Sequence, residues 1–572
     1  MFRDALRQEL RAAISRAIAD GGIAPGADLA SEIPPFDVEV PKDRRHGDYA
    51  TNAAMVLASR TGGKPREIAQ RLIDAYAPSP DRVSRLEIAG PGFINIMVAW
   101  PWKREFVATI GRLGESYGLQ TIGAGRRVNV EFVSANPAGP LHVGTGRNAV
   151  VGDVLANLLT VLGYEIAREY YINDAGEQVR ILALSVEARY FEHFGQSHPF
   201  PENGYQGPYV ADLARHIATH EGDRWLHEPG EARLDHFREV SVSAMVADAR
   251  EVLERCRIRF DAWVSERALV ESGAVERAIA ALEARGFLYK EEDGNLWFRS
   301  TAFGDDKDRV IVRRNGEPTY FGRDVAYHLD KLARGFDLLI DVWGIDHIGD
   351  VVRVKGALTA LGVPPEALEI LIYQHVRLKN EGEALRMSKR SGEFVALRDL
   401  IDAVGVDAAR YFYAMVSYSV PMDFDVALAQ RHSQDNPVYY VQYAHARIAG
   451  ILREAGLLGN GGGPATRAGS AERSRGAVTP LDRLEDEREA ALIHVLAELP
   501  EVTRAAGLRR EPHRLCAYAR EVAEAFHLFY THCRVLTDDE ALTAARLALV
   551  DATRIVLRRV LGLLGVSAPD RM

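Results

Sequence analysis

Cysteine is scarce in this chain of 572 residues, which carries three, Cys256, Cys516 and Cys533. They are odd in number, far apart and without paired spacing, which excludes a disulfide framework and a zinc ribbon and leaves core thiols. The one His pair at i, i+4 spacing, His216 and His220, lacks the adjoining Glu of a zinc-protease helix, so no structural metal is expected. Long apolar runs are also missing: no stretch reaches the roughly eighteen residues of a membrane span. The start MFRDALRQELR is charged and amphipathic, with no apolar signal region. Neither membrane insertion nor secretion is expected, and the cytoplasm is the expected compartment. Positive charge is not in excess, since 70 Lys and Arg against 80 Asp and Glu give a net charge of −10. That balance excludes a protein held to nucleic acid by bulk charge and makes any RNA contact local. The basic tracts Arg504–Arg520 (Arg509, Arg510, Arg514) and Arg554–Arg559 (Arg554, Arg558, Arg559) suit solvated helix faces as well as phosphate contacts.

The length allows roughly three or four domains, each with its own core. Residues 1–118 read as a small α+β domain, with a helix over Arg3–Asp20, helical stretches at Ala50–Leu57 and Glu67–Ala75, and strands at Phe36–Val40 and Phe93–Val98. Residues 124–395 read as an α/β domain interrupted by a charged helical insertion at about 179–258, and residues 396–572 as an all-α bundle. Helical periodicity marks Pro437–Arg453, Leu484–Leu499, Cys516–Thr531 and Leu542–Leu563. Between the first two, the Gly-, Ser- and Ala-rich tract at about 456–480 is expected to be a disordered surface loop.

Two short segments carry the chemistry. RRVNVEFVS (Arg126–Ser134) alternates as a strand does, Asn136, Pro137, Gly139 and Pro140 break it, and a helical period then runs through Val150, Val154 and Leu158 to Gly163. YEIAREYYI (Tyr164–Ile172) supplies a second strand, making a βαβ unit whose ligand crevice lies at the carboxyl ends of its strands. His142, Gly144 and Thr145 sit at the helix mouth, where unpaired N–H groups favour a phosphate and Gly144 lets a flat ring approach. The bland alternative for His142 is a capping or core histidine. Far downstream, RMSKRSG places Lys389 and Arg390 between Ser388 and Ser391, either a solvated basic loop or a mobile ammonium that follows charge developing on phosphorus. LLIDVWGID from Leu338 and LEILIYQHV from Leu368 read as buried parallel strands.

SANPAGPLHVGTGR at Ser134 and RMSKRSG at Arg386 resemble the HIGH and KMSKS signatures of class I aminoacyl-tRNA synthetases, and the surroundings resemble the arginyl-tRNA synthetases. EFVSANPAGPLHVG at Glu131, YFGRDVAYHLDK at Tyr320, DVWGIDHIGD at Asp341, QHVRL at Gln374, DAAR at Asp407, NPVYYVQYAHARI at Asn436 and the ending RM at Met572 carry it over essentially the whole chain.

The resemblance implies a multidomain α/β protein with a Rossmann-like parallel-sheet catalytic domain, a tRNA-corner domain in front and an anticodon reader behind. It implies two-step acyl transfer: arginine attacks the α-phosphorus of ATP, which arrives with Mg2+, and the terminal 2′-hydroxyl of tRNA(Arg) takes the arginyl group. His142 and Lys389 are the implied catalytic groups, since phosphoryl transfer needs charge placement more than covalent help. ATP contacts are implied at Pro140, His142, Gly144, Thr145, Gly344, His347, Met387, Ser388 and Lys389. Arginine contacts are implied at Glu131, Ser134, Asn136, His142, Tyr320, Asp324 and Gln374, the carboxylates meeting the guanidinium fork. tRNA contacts are implied at Tyr49, Asn52, Tyr440, Tyr443 and Met572, and family members commonly need tRNA for activation. A monomer is expected.

Standing alone, several of these residues have plainer readings: Asp324 as an ion pair with Arg323, His347 as a core histidine, Tyr49 and Asn52 as parts of the fold, and the tyrosines as core. Two positions depart from the class pattern: Thr145 replaces the usual second His, and Arg386 stands where Lys is frequent. Another adenylyl-forming enzyme of the same fold, or a tRNA-binding paralogue inactivated at Thr145, therefore remain alternatives.

Overall fold

In the computed structural model, which describes residues 2–23, 33–41, 43–77, 79–380, 383–384, 396–459 and 480–572, five short apolar runs form the central sheet. These are β1 (Arg127–Glu131), β2 (Glu165–Ile172), β3 (Ala262–Ser265), β4 (Leu338–Gly344) and β5 (Leu368–Tyr373). All neighbours are parallel and the order is β5-β4-β1-β2-β3. The chain steps outward from β1 through β2 to β3, then returns to lay β4 and β5 on the other side. The order thus reverses between β1 and β4, and the crevice beyond their carboxyl ends is the switch point where such sheets bind ligands.

Helix α1 (Val143–Val161) joins β1 to β2 and is buried around nearly its whole circumference. An apolar helix with no polar face needs cover on every side. Here it lies between the sheet and helices Val406–Met415 and Leu499–Leu508 of the C-terminal half. Between β2 and β3, helices Glu177–His193, Pro208–Glu221 and Gly230–Arg255 pack around their own core of Leu182, Val186, Tyr190, Ile217 and Phe237. Helix α2 (Tyr320–Ala333) then leads into β4, after a small antiparallel sheet (Leu288–Lys290, Leu296–Phe298, Arg309–Val312) that the periodicity did not reveal.

The N-terminal region is a four-stranded antiparallel sheet with helices Phe2–Ala19, Ala53–Thr61 and Pro65–Ala75. Strand Val83–Ala89 and helix Trp100–Leu113 were not expected: the first mixes Ser, Arg and Glu into its pattern, and the second opens on Trp-Pro-Trp, where proline in the first turn is tolerated. Residues after Ser391 were expected to be helical throughout, yet Met422–Asp425 forms a strand parallel to Val376–Asn380. The tract 460–479 lies outside the described residues, as do Arg386 to Gly392 with Met387, Ser388 and Lys389. All three cysteines are buried and free.

Tyr49 corrects an expectation. It is fully buried and donates through its hydroxyl to Glu498 at 2.7 Å, with the Arg3 guanidinium on the same carboxylate. Its ring therefore fastens the N-terminal sheet to the C-terminal helices and has no face to offer RNA. Asn52 also serves locally, accepting from the Asp37 N–H at 2.8 Å. Arg510, offered above as a phosphate contact, grips Glu369 through two bonds of 2.7 and 2.8 Å. Tyr49→Phe should cost about 1–3 kcal/mol of unfolding free energy, because a buried carboxylate loses a donor; a denaturant midpoint equal to that of the parent would contradict this assignment.

Candidate active site

Backbone strain marks the edge of the crevice. Immediately beyond β1, Val133 and Ser134 take positive φ values of 70° and 40°. For a β-branched residue this is a costly region that persists only where surrounding bonds enforce it. The Asn148 side chain does so, accepting from the Val133 N–H at 2.8 Å and donating to the Val342 carbonyl on β4 at 2.9 Å. One asparagine on α1 thus ties together the two strands flanking the switch point. The turn points Ser134 Oγ back to donate to Glu131 at 2.8 Å, while the same oxygen accepts from the Tyr171 N–H at 3.1 Å.

His142 caps α1: its Nδ1 accepts from the Gly144 N–H at 2.9 Å, which puts the proton of the neutral ring on Nε2. A Cβ at Gly144 would lie 2.7 Å from His142 Cε1, so the glycine makes room for this ring. Thr145 is buried in the first turn, its N–H held by the His142 carbonyl at 2.9 Å. The chain returns to this loop just after the second signature: Ala396 bridges to His142, and the Leu397 N–H donates to the Leu141 carbonyl at 2.7 Å. Pro140 is half-buried beside it.

The acidic half of the site is built on α2. Lys331 donates to Glu131 and, at 2.9 Å, to Asp341, all three side chains being buried. His328 meets the other Asp341 oxygen at 2.7 Å and the Asp324 carbonyl at 2.6 Å. The Asp324 carboxylate itself, half-buried, meets no donor among the described residues. Arg323, its sequence neighbour and the obvious ion-pair partner, turns away to Glu266 at 2.6 Å. Burial, with negative charge from Glu131, Asp350 and Glu266, pushes Asp324 up to about 7 against the opposing pull of His328. Asp324 thus feels positive charge from His328 and in turn raises the pKa of His347, without a bonded cation among the described residues.

The other expected contacts rim this centre. Tyr320 is exposed at the start of α2, and a Cβ on Gly176 would stand 3.1 Å from its hydroxyl. Exposed Asn136 donates to Gln178 at 3.0 Å. Gln374 follows β5, its carbonyl accepting from Arg147 at 2.9 Å. Gly344 ends β4. His347, read above as a possible core histidine, is 65% exposed, and its contact with Asp350 raises its pKa.

Far from the crevice, Tyr440 and Tyr443 share one face of helix Pro437–Glu454, their rings 5.1 and 6.1 Å from His527 on helix His513–His532. Arg447 lies 4.7 Å over Tyr443 and 5.1 Å over Tyr530. Burial, with help from Arg447, pushes His527 down to about 4, so it is neutral there. Met572 is exposed at the end of the chain. Residues missed from sequence are Lys331, His328 and Asp341 behind the pocket, and Arg447, His527 and Tyr530 here. The signal for Lys331 and His328 was their i+7 and i+4 spacing from Asp324; for Arg447, its i+4 spacing from Tyr443.

Three family models match in chain order: "Arginyl tRNA synthetase N terminal domain" over residues 4–98, "tRNA synthetases class I (R), catalytic domain" over 113–412 and "DALR anticodon binding domain" over 441–572. The arginine–tRNA ligase of Heliobacterium modesticaldum is 44% identical over 571 residues, 100% of each chain. That of Carboxydothermus hydrogenoformans is 46% identical over 570 residues, 99% of this chain and 98% of its own. The solved Thermus thermophilus arginyl-tRNA synthetase, 23% identical, covers 100% of both chains with a TM-score of 0.74 and shows the shared fold.

The elevated Asp324 has a consequence for stability. In the unfolded chain this acid titrates near the usual 4, roughly where any aspartate does. Below that pH it is neutral in both states and contributes nothing; as pH rises toward 7, the folded protein must either keep the proton or bear an unpaired charge, and stability falls. Asp324→Asn should therefore gain thermal stability over the parent progressively as pH rises from about 4 to about 7, with matching melting temperatures below about 4. Parallel curves across that window would contradict the unpaired state.

Proposed function

The chain belongs to the arginyl-tRNA synthetases, class I enzymes that ligate L-arginine to tRNA through an arginyl-adenylate, and we propose that the β1–β4 crevice is where this one binds arginine beside ATP. The observation that carries the assignment is Asp324, a carboxylate of α2 without a bonded cation, standing beside Glu131, Asp350 and Glu266, which have theirs. A guanidinium is permanently charged and meets carboxylates through paired N–H groups, which suits this acid. Tyr320, Asn136, Ser134 and Gln374 would add neutral contacts around it.

The nucleotide half follows from α1. Its positive dipole end and the His142 ring would face the phosphates, and buried Thr145 shapes the same turn. Gly344 and His347 flank the crevice from β4. Magnesium would come on the phosphates of ATP, as its preference for phosphate and water ligands dictates. Lys389, with Met387 and Ser388, is proposed to stabilise charge on the α-phosphorus during attack by the arginine carboxylate. The adenylate then passes its arginyl group to the 2′-hydroxyl of tRNA(Arg). Tyr440 and Tyr443, with Arg447, form an aromatic and cationic surface suited to stacking on splayed bases, and Met572 is proposed to lie at its edge. A monomer acting in the cytoplasm is the proposed working unit. Among the described residues no helix is long and apolar enough to cross a membrane.

Exchange of pyrophosphate into ATP, run with tRNA present and each amino acid in turn, tests the assignment: arginine alone should support it. Asp324→Asn should raise the KM for arginine by roughly 2–5 kcal/mol equivalent, the usual cost of truncating one partner of a buried charge pair, while the KM for ATP stays nearly constant. Equal effects on both constants would defeat the reading, and silence with every amino acid would favour a binding paralogue.

A further inference from the structure

The carboxylates that act on Asp324 are Glu131, Asp350 and Glu266, and each of the three already has a cation of its own. Arg323 takes Glu266 at 2.6 Å, Arg353 takes Asp350 at 2.5 Å, and Lys331 takes Glu131. Glu169 on β2, which also faces Lys331, is closed by two Arg334 bonds of 2.6 and 2.7 Å and by the Tyr327 hydroxyl at 2.6 Å.

Lys331 is the centre of this arrangement. It is fully buried two helical turns below Asp324, lies 4.4 Å over the Tyr327 ring, and divides its charge between Glu131 on β1 and Asp341 on β4. Both His328 nitrogens face acceptors, Asp341 on one side and the Asp324 carbonyl on the other, which is the environment of an imidazolium. Burial opposes that charge, but the Asp341 carboxylate outweighs it and raises the pKa of His328. Burial raises the pKa of Glu131, while the Lys331 ammonium bonded to it favours its charged form; with Glu131 ionised, the four groups sum to zero, Glu131 and Asp341 against Lys331 and His328. Both Glu131 oxygens are occupied, one by Ser134 and one by Lys331.

We propose that Lys331 and His328 are positioning residues that set the charge of the amino-acid pocket: by neutralising Glu131 and Asp341 from within the sheet, they leave the Asp324 carboxylate, which has no bonded cation, to a side chain bearing one positive charge. Glu131 is then a scaffold for Ser134 and Lys331 and not the ionic partner of the guanidinium. This rests on the arginine reading of the crevice and deepens it.

A charge-balance cycle in the full-length enzyme, read by pyrophosphate exchange with tRNA present, tests it. Glu131→Gln and Lys331→Met each unbalance the cluster and should raise the KM for arginine by about a hundredfold, the scale of leaving one member of a buried pair unpaired, with the KM for ATP moving less than about twofold. The double variant removes one charge of each sign and should recover most of the loss, a non-additivity that mere packing damage does not produce. If the double variant is as impaired as Glu131→Gln alone, the Glu131 charge serves arginine directly and the proposal falls. Should Lys331→Met fail to fold, the same cycle is available at the other end, where Asp341→Asn is expected to rescue His328→Gln and its failure to do so overturns the proposal. A parent enzyme that does not exchange with arginine would instead remove the functional reading on which the cycle rests.

Discussion

An ammonium group with no access to water cannot be left without negative charge around it, because desolvation alone would expel its proton or unfold the protein. Lys331 meets that condition by drawing on β1 and β4 at once. These are the two strands between which the sheet reverses its order, so the group that most needs compensation also clamps the strands whose ends frame the crevice. Its own pKa is raised despite burial, by Asp341 and Glu131. Asp324 is left without a bonded cation because its helix directs Arg323 and Lys331 to other carboxylates.

The same strands are held a second time from the other side of the sheet. Asn148 on α1 reaches both Val133 and Val342, and the strain it enforces at Val133 and Ser134 aims the serine at Glu131. Helix α1 can carry this load because it is buried between the sheet and the C-terminal helices. Arg410 reinforces that contact from the C-terminal half, pairing with Asp153 of α1 and donating to the Cys256 and Leu564 carbonyls at 2.7 Å each. Helix α1 is therefore tied to the C-terminal half, which also carries the tyrosine cluster, by an ion pair midway along its length.

Much of this was readable in the sequence where periodicity and local chemistry agree. The central strands, the helix after the first signature and the long C-terminal helices follow from apolar spacing, and Asp324 followed from the family's motif. What could not be read depends on contacts between distant segments. Tyr49 is a hydrophobic staple with one hydroxyl bond because Glu498 lies 449 residues away. Gly144 serves the His142 ring because of a rotamer, not a spacing. That Arg323 abandons Asp324 for Glu266 reverses the plain reading of that pair, and nothing within α2 announces it. The burial of Lys331 depends on the sheet that closes over it, and the strand Met422–Asp425 is too short to show a period of its own.

The central claim is that Asp324 stands without a bonded cation and holds its proton up to about 7, so that a bound guanidinium would ionise it. Calorimetric titration of the full-length protein with arginine, in buffers of differing ionisation enthalpy, counts the protons released on binding. With the acid held near 7, about one proton should leave at a pH of about 6 and almost none above a pH of about 8. Arginine binding that releases no proton at the lower pH would mean that Asp324 is already ionised and partnered, and the account of the pocket would be wrong.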